Sequence, residues 1–416
     1  MGGQFPYQTI KDIDVKNSTI LLRTDYNVPL DDNGNITDNL RIIASLPTIK
    51  YLSKNGAKVV IISHLGRPKG KVDQKYSLRP VANALQDCLN QPIILASDCI
   101  GESVLNLTRQ MKSGDIVMLE NLRFHKEEEQ NDLNFAKELS ESSNADIFVQ
   151  DGFGVVHRPH ASTAAITKCL PAVAGLLLEK EYLALTNAIK NPRRPLTTVI
   201  GGAKINDKIS LIKKFIDIAD NVIIGGALAN NFLKHLGYNV SDSLVDNESD
   251  QTVAEIMLQA KRRYGNDMAR HFILPIDVAI AKSGSLSDQR TEVKLSSLSA
   301  INPQAKIYDI GHETSDLIDF VIESSKTVIW NGTLGMSEYN NFAHGSARLA
   351  LSILKSKSRP ASIIGGGDTA DFVRHWDSQK GNSFSHISTG GGASLEFLSG
   401  IKLPGIVSLR LKDKQL

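Results

Sequence analysis

Short, continuous runs of apolar and β-branched residues recur along this chain, and no other feature limits its fold so tightly. They fall at Thr19–Leu22, Lys58–Ser63, Ile116–Leu119, Ile147–Val149, Thr197–Ile200, Asn221–Ile224, Phe272–Leu274, Thr327–Trp330 and Ser362–Ile364. A strand with one face in water alternates apolar and polar residues, whereas a strand covered on both faces does not. These runs are of the second kind. Longer amphipathic stretches separate them, among them Leu40–Ser53, Asn131–Ser142 and Lys208–Ala219. Strand, helix, strand in repetition predicts an α/β fold of parallel sheets with crossover helices on their faces, Rossmann-like in style.

There are too many runs for one open sheet of modest size, and 416 residues exceed what one ordinary core organises. Two α/β domains are the natural division. The stretch Leu177–Asn191 reads as a helix with no strand of its own, stopped by the sequence Pro192-Arg193-Arg194-Pro195. We therefore expect a first domain over 1–175, a connector helix over 176–191 and a second domain from 192 to 390. No short-period repeat or low-complexity segment interrupts this plan.

Composition narrows the class of partner. A net charge of +2 gives no broad field for nucleic acid or an anionic membrane, so a positive site has to come from local clustering. Three cysteines, Cys88, Cys99 and Cys169, with no CxxC spacing, suggest reduced thiols rather than a disulfide framework or a zinc motif. The first residues lack the basic and apolar regions of a secretion signal, and no apolar run has the length of a membrane span. The expectation is a cytoplasmic protein.

Ligands of open parallel sheets bind beyond the carboxyl ends of the strands. In the first half those ends read RTDYN (Arg23–Asn27), SHLGRP (Ser63–Pro68), ENLRFH (Glu120–His125) and DGFGVVHRPH (Asp151–His160), and Arg41 opens the first helix. Each segment carries an arginine and three carry histidine. One such arginine is ordinarily a solvated surface charge. Several gathered at one sheet edge predict a pocket for a small, multiply anionic substrate, because the guanidinium is a planar fork for carboxylate and phosphate. His64, His157 and His160 can equally be structural or ligand-facing.

In the second half the strand ends turn glycine-rich: GGAKINDK (Gly201–Lys208), GGALANNF (Gly225–Phe232), WNGTLG (Trp330–Gly335), GGGDT (Gly365–Thr369) and STGGGAS (Ser388–Ser394). Glycine lets backbone N–H groups approach phosphate oxygens, and a helix N-terminus behind them adds its dipole. Lys204 and Lys208 can add point charges, and Asp368 can hold Mg²⁺ beside a phosphate chain. One such turn also serves as an ordinary connection; five point to a nucleotide.

Sharper motifs are missing. There is no GxxxxGK[ST] loop. Gly365-x-Gly367-x-x-Ala370 lacks the acidic residue about twenty positions on that a dinucleotide site uses, which counts against a nicotinamide dehydrogenase. Asp31–Asp38 lacks the glycine and glutamate of a calcium loop and reads as an Asn33-Gly34 turn. An anion-binding domain and a nucleotide-binding domain together imply phosphoryl transfer.

The segments RTDYNVPL, SHLGRPKG, LENLRFH, DGFGVVHRPHAST, GGAKINDKI, WNGTLG, IIGGGDT and HISTGGGASLEFLSGIKLPG closely resemble those of the phosphoglycerate kinases, in that family's order and over nearly the whole chain. The resemblance implies that Asp25, Asn27, Arg41, His64, Arg67, Arg123 and Arg158 bind the phosphoglycerate, with Arg23 beside them. It implies that Arg41, Lys204, Gly391 and Gly392 stabilise the transferring phosphoryl group. Gly202, Lys208, Gly226, Asn331, Glu338, Gly366, Gly367, Asp368 and Thr369 would hold the nucleotide, and Asp368 its Mg²⁺. The implied partners are ATP or ADP and 3-phosphoglycerate or 1,3-bisphosphoglycerate, handled by a hinge-bending monomer. Residues 391–416 would return to the first domain. Thr333, Ser337 and His312 depart from the family's usual Pro, Phe and Pro on the nucleotide side. A member that binds ATP without turnover is the alternative reading.

Overall fold

The computed structural model describes residues 4–246 and 248–412. The chain divides into two compact units, one built from residues 4–183 together with the segment from Lys402 onward, the other from Ala184–Ile401. The change of unit falls inside the helix Leu176–Lys190. The chain crosses back after Ile401, later than the expected 391.

Six strands form the sheet of the first unit: β1 (Thr19–Arg23), β2 (Lys58–Ile62), β3 (Ile94–Leu95), β4 (Ile116–Met118), β5 (Ile147–Gln150) and β6 (Ala172–Ala174). They are parallel, in the order β3-β4-β2-β1-β5-β6. Every residue of β1 is buried. The helix Leu40–Lys54 covers one face through Ile42, Ile49 and Leu52. Chain order reverses at β1, whose neighbours β2 and β5 leave in opposite directions. The crevice beyond the ends of β1 and β5 is therefore a topological switch point, where an open sheet leaves room for a ligand.

The last described residues complete this unit. Gln8 N–H donates to Arg410 O at 2.8 Å, Arg410 N–H to Ala172 O at 3.1 Å and Gly405 N–H to Val156 O at 2.9 Å. Leu403, Ile406 and Leu409 are buried. The Asp31–Asp38 segment is the expected turn: Gly34 sits at φ 81° and Asp31 Oδ1 accepts from the N–H groups of Asn33 and Asn35.

The second unit carries β7 (Leu196–Ile200), β8 (Asn221–Ile224), β9 (Phe272–Ile273), β10 (Asp277–Ala281), β11 (Thr291–Lys294), β12 (Lys306–Ile310), β13 (Thr327–Asn331), β14 (Ala361–Gly365) and β15 (His386–Ile387). Six of these make a parallel sheet in the order β15-β14-β13-β7-β8-β9, and its reversal point lies between β7 and β13. The other three make a small antiparallel sheet, β11-β10-β12. That sheet is the one addition to the expected architecture. Its edge strand β11, TEVK, alternates half-buried and exposed residues and so carries no continuous apolar run.

Candidate active site

The residues beyond β1 surround a buried cation. Arg23 ends β1 with no exposed surface. Its Nε donates to Ser162 Oγ at 2.8 Å, one terminal nitrogen donates to the Thr24 carbonyl, and the other lies 3.4 Å from His64 Nδ1. Glu128, fully buried, accepts from the N–H and hydroxyl of Ser162 at 2.9 and 2.6 Å and stands 3.8 Å from Arg23. Burial lowers the arginine's proton affinity, and Glu128 and Asp25 oppose that. Arg23, expected among the substrate contacts, is enclosed by protein in this structure and braces the groups above it.

Those groups are polar and held in place. Asp25 accepts from Arg41 at 2.6 Å. Asn27 Oδ1 accepts from Gly66 N–H at 2.8 Å, tying the ends of β1 and β2 together. Arg123 donates to Gly66 O at 2.8 Å and lies 3.3 Å from Glu129. His64 is buried and held well below the ordinary imidazole range, first by desolvation and then by Arg23, Arg123 and Arg41. His160 is pushed down to about 3, by burial first and then by Arg23, Arg123 and Arg158. Both rings are therefore neutral near pH 7, and neither adds positive charge. Arg67 and Arg158 are exposed, and Arg158 Nε donates to His157 at 3.1 Å. The structure thus gathers Asp25, Asn27, Arg41, His64 and Arg123 in a connected polar cluster with a cationic surplus. Such a cluster can hold a small anion carrying several oxygens.

In the second unit the switch point is lined by backbone. A Cβ on Gly201 would stand 2.1 Å from Thr333 O, so only glycine lets the loops after β7 and β13 meet. Gly332, at φ 94°, lies under the Lys208 ammonium, where a Cβ would come within 2.6 Å of Nζ. Gly202 N–H donates to Thr333 O at 3.0 Å and Gly226 N–H to Leu334 O at 3.1 Å. Lys208 Nζ donates to Asn331 Oδ1 at 2.6 Å. Burial lowers this lysine to about 8, with Asp368 and Asp207 pulling it up. Asn331 is buried, and its Nδ2 has no hydrogen-bond partner among the described residues.

The remaining candidates differ in what they leave free. Lys204, Glu338, Gly367 and Asp368 are exposed, and Asp368 lies in the first turn of the helix Gly367–Trp376, preceded by Gly366 at φ 92°. Thr369 is buried and its hydroxyl accepts from Gly332 N–H at 2.7 Å, which ties the loops after β13 and β14 together. Gly391 precedes the short helix Gly392–Leu398. Beside Gly226 a narrow cleft of about 10 Å³, room for roughly one water, is lined by Ala229, Leu233, Pro275, Val278 and Tyr308. His312 is paired with Glu292 at the start of the helix His312–Ser324.

Sequence reasoning missed Glu128 and Ser162, which hold Arg23. Glu128 stands in the run Lys126–Gln130, KEEEQ, which reads as a solvated face, and only the return of Ser162 onto it shows otherwise. The lining of the cleft was missed as well, since Val278 and Tyr308 belong to the unforeseen antiparallel sheet.

Comparison with known proteins gives one answer throughout. A family model described as "Phosphoglycerate kinase" matches residues 10–401. A phosphoglycerate kinase of Pelotomaculum thermopropionicum is 41% identical over 402 residues, covering 97% of this chain and 98% of the relative. One of Borreliella afzelii is 43% identical over 401 residues, covering 96% and 98%. Among solved structures, phosphoglycerate kinase from Coxiella burnetii aligns with a TM-score of 0.82 at 35% identity, over 97% of this chain and 98% of that one. The enzyme from Pyrococcus horikoshii aligns with a TM-score of 0.80 at 29% identity, over 97% and 98%.

Proposed function

The chain belongs to the phosphoglycerate kinase family, and from that premise we propose how its residues divide the work. The activity is reversible phosphoryl transfer between 1,3-bisphosphoglycerate and ADP, giving 3-phosphoglycerate and ATP. The nucleotide and the phosphoglycerate are its substrates.

The phosphoglycerate is received on the first unit. Arg67, Arg123 and Arg158 take its anionic oxygens, Asp25 and Asn27 its hydroxyl and carboxyl end, and neutral His64 supplies a ring hydrogen bond. Arg41 is steered by Asp25 at 2.6 Å, so its fork has a fixed direction before ligand arrives. Arg23, Glu128 and Ser162 position this layer without touching ligand.

The nucleotide is received on the second unit. Gly202 and Gly226 keep the loops free of side chains so that the phosphates can approach, Gly366 and Gly367 offer backbone N–H groups, Lys208 and Asn331 meet their charge, and Glu338 takes the ribose. Asp368 makes no hydrogen bond among the described residues and lies near Lys208, which fits a carboxylate kept for Mg²⁺ on the phosphate chain. The ion would supply neutralisation of phosphate charge. Lys204, exposed and without an ion pair among the described residues, together with the N–H groups at Gly391 and Gly392, stabilises the phosphoryl oxygens during transfer. The acceptor carboxylate is already ionised at neutral pH, so no general base is needed, and catalysis rests on in-line positioning and fixed charge.

One observation carries this reading: each parallel sheet places its cations at its own reversal point, arginines at β1/β5 and Lys208 over glycines at β7/β13. A coupled assay with ATP, Mg²⁺ and 3-phosphoglycerate tests it. ADP should form only when all three are present. Formation of ADP without 3-phosphoglycerate, or none with it, contradicts the assignment. The enzyme acts as a cytoplasmic monomer in this proposal. Among the described residues no helix is long and apolar enough to cross a membrane.

A further inference from the structure

The loops after β3 and β4 bring together three side chains that the transfer reaction does not use. Asp98 and Cys99 follow β3, and His125 follows the 3₁₀ turn Leu122–Phe124 beyond β4. Asp98 Oδ1 lies 2.7 Å from His125 Nε2, and the carboxylate oxygen, thiol sulfur and ring nitrogen all lie within 4.8 Å of one another. We propose that Asp98, Cys99 and His125 form a binding site for a borderline-soft divalent cation of the zinc class, with a fourth position open to water.

The donor set selects the ion. Carboxylate, thiolate and imidazole together suit zinc, cobalt and their neighbours, whereas Mg²⁺ and Ca²⁺ prefer oxygen alone. The geometry is close to what such an ion requires. Bonds of about 2.0–2.3 Å in a tetrahedron put ligand atoms roughly 3.4–3.6 Å apart. The Asp98–His125 pair has to open by under about 1 Å, and Cys99 has to draw inward by a similar amount.

Access agrees with this. The Asp98 and His125 side chains retain 42% and 24% of their exposure, while Cys99 is buried, so the cation enters from the carboxylate side and meets the thiol last. Asp98 is also held by Cys99 N–H at 2.6 Å, which fixes the carboxylate over its neighbour's thiol.

The other cluster of this kind, Asp277 with Glu292 and His312, is less free. Asp277 accepts from Glu313 N–H, Thr314 N–H and the Thr314 hydroxyl, and Arg290 lies 2.9 Å from Glu292. A cation there would displace an existing helix cap and meet a guanidinium.

The test uses the full chain, chelator-treated, and Co²⁺ as an optical stand-in for zinc. Titration should raise a near-ultraviolet thiolate-to-cobalt charge-transfer band with visible bands of a four-coordinate ion, and one equivalent of Zn²⁺ should bleach both. Cys99→Ser should abolish the charge-transfer band and weaken Zn²⁺ binding at least about a hundredfold, more than loss of a supporting contact costs. Cys88→Ser and Cys169→Ser should leave the spectrum unchanged. Absence of the band, or its persistence in Cys99→Ser, overturns the proposal. If Cys99→Ser does not fold, His125→Gln carries the same test, and unchanged Co²⁺ affinity in it overturns the site. Oxygen-only binding at Asp368 gives no thiolate band, so the two sites are distinguished.

Discussion

Lys204 and Lys208 lie one turn apart in sequence and in opposite surroundings. Lys204 is exposed and has no ion pair among the described residues; Lys208 is largely enclosed and bonded to Asn331. A free ammonium stabilises charge that appears only during transfer. Lys204→Ala should therefore lower kcat by roughly a hundredfold, with a smaller change in KM, in steady-state assays of both substrates. Near-normal kcat would remove Lys204 from the mechanism. Lys208 acts on the ground state. Its folded value of about 8 lies below that of an unfolded lysine, so between roughly pH 8 and 10.5 the unfolded chain holds the extra proton and stability rises with pH. A bound phosphate chain restores the ammonium. At pH 8, ADP binding should take up roughly half a proton, measured by calorimetry in buffers of different ionisation enthalpy. Lys208→Met should abolish the uptake; an unchanged uptake would assign it to another group.

The helix Leu176–Lys190 begins on a buried carboxylate. Asp151, at the end of β5, accepts from Leu177 N–H at 2.9 Å, and burial raises it to about 7 against the hydrogen bonds from Thr48, Leu177 and Leu178. A folded value above the unfolded one means the contribution is full below about pH 4 and is lost as pH rises through 7. Asp151→Asn keeps an accepting oxygen and removes the titration. Relative to this variant, the parent should lose stability between pH 4 and 7, as urea unfolding at several pH values would show. Parallel curves would mean that Asp151 stays ionised throughout.

This element was visible in the sequence, and so were nine strands of the two parallel sheets, because burial on both faces demands continuous apolar runs. Most of the strands that escaped notice are short or one-sided; Asp277–Ala281 is buried throughout, but it opens on an aspartate and two of its five residues are alanine. Ile94–Leu95 has an exposed and a half-buried residue, and Thr291–Lys294 alternates. The candidate site was legible where arginine or glycine follows a strand. It was not legible where the partner arrives from far along the chain, as Glu128 and Ser162 do for Arg23, since their spacing of 34 residues carries no local pattern.

At the scale of the molecule, the first unit depends on both ends of the described chain. Leu403, Ile406 and Leu409 are buried at 2%, 3% and 4% exposure, and each contributes roughly 1.5–3 kcal/mol through burial. Ending the chain at Ile401 also frees the backbone groups of Gln8, Val156 and Ala172. Calorimetry of the shortened protein should resolve two transitions, the lower belonging to the first unit. A single transition at the parental temperature would mean the segment adds nothing. The same dependence sets an order of assembly on the ribosome. The second unit has all of its residues once Ile401 has been added, whereas the unit begun first still waits for the closing segment. What is translated earliest is thus finished last, and the apolar surface that Leu403, Ile406 and Leu409 later cover is what a chaperone would meet on the nascent chain.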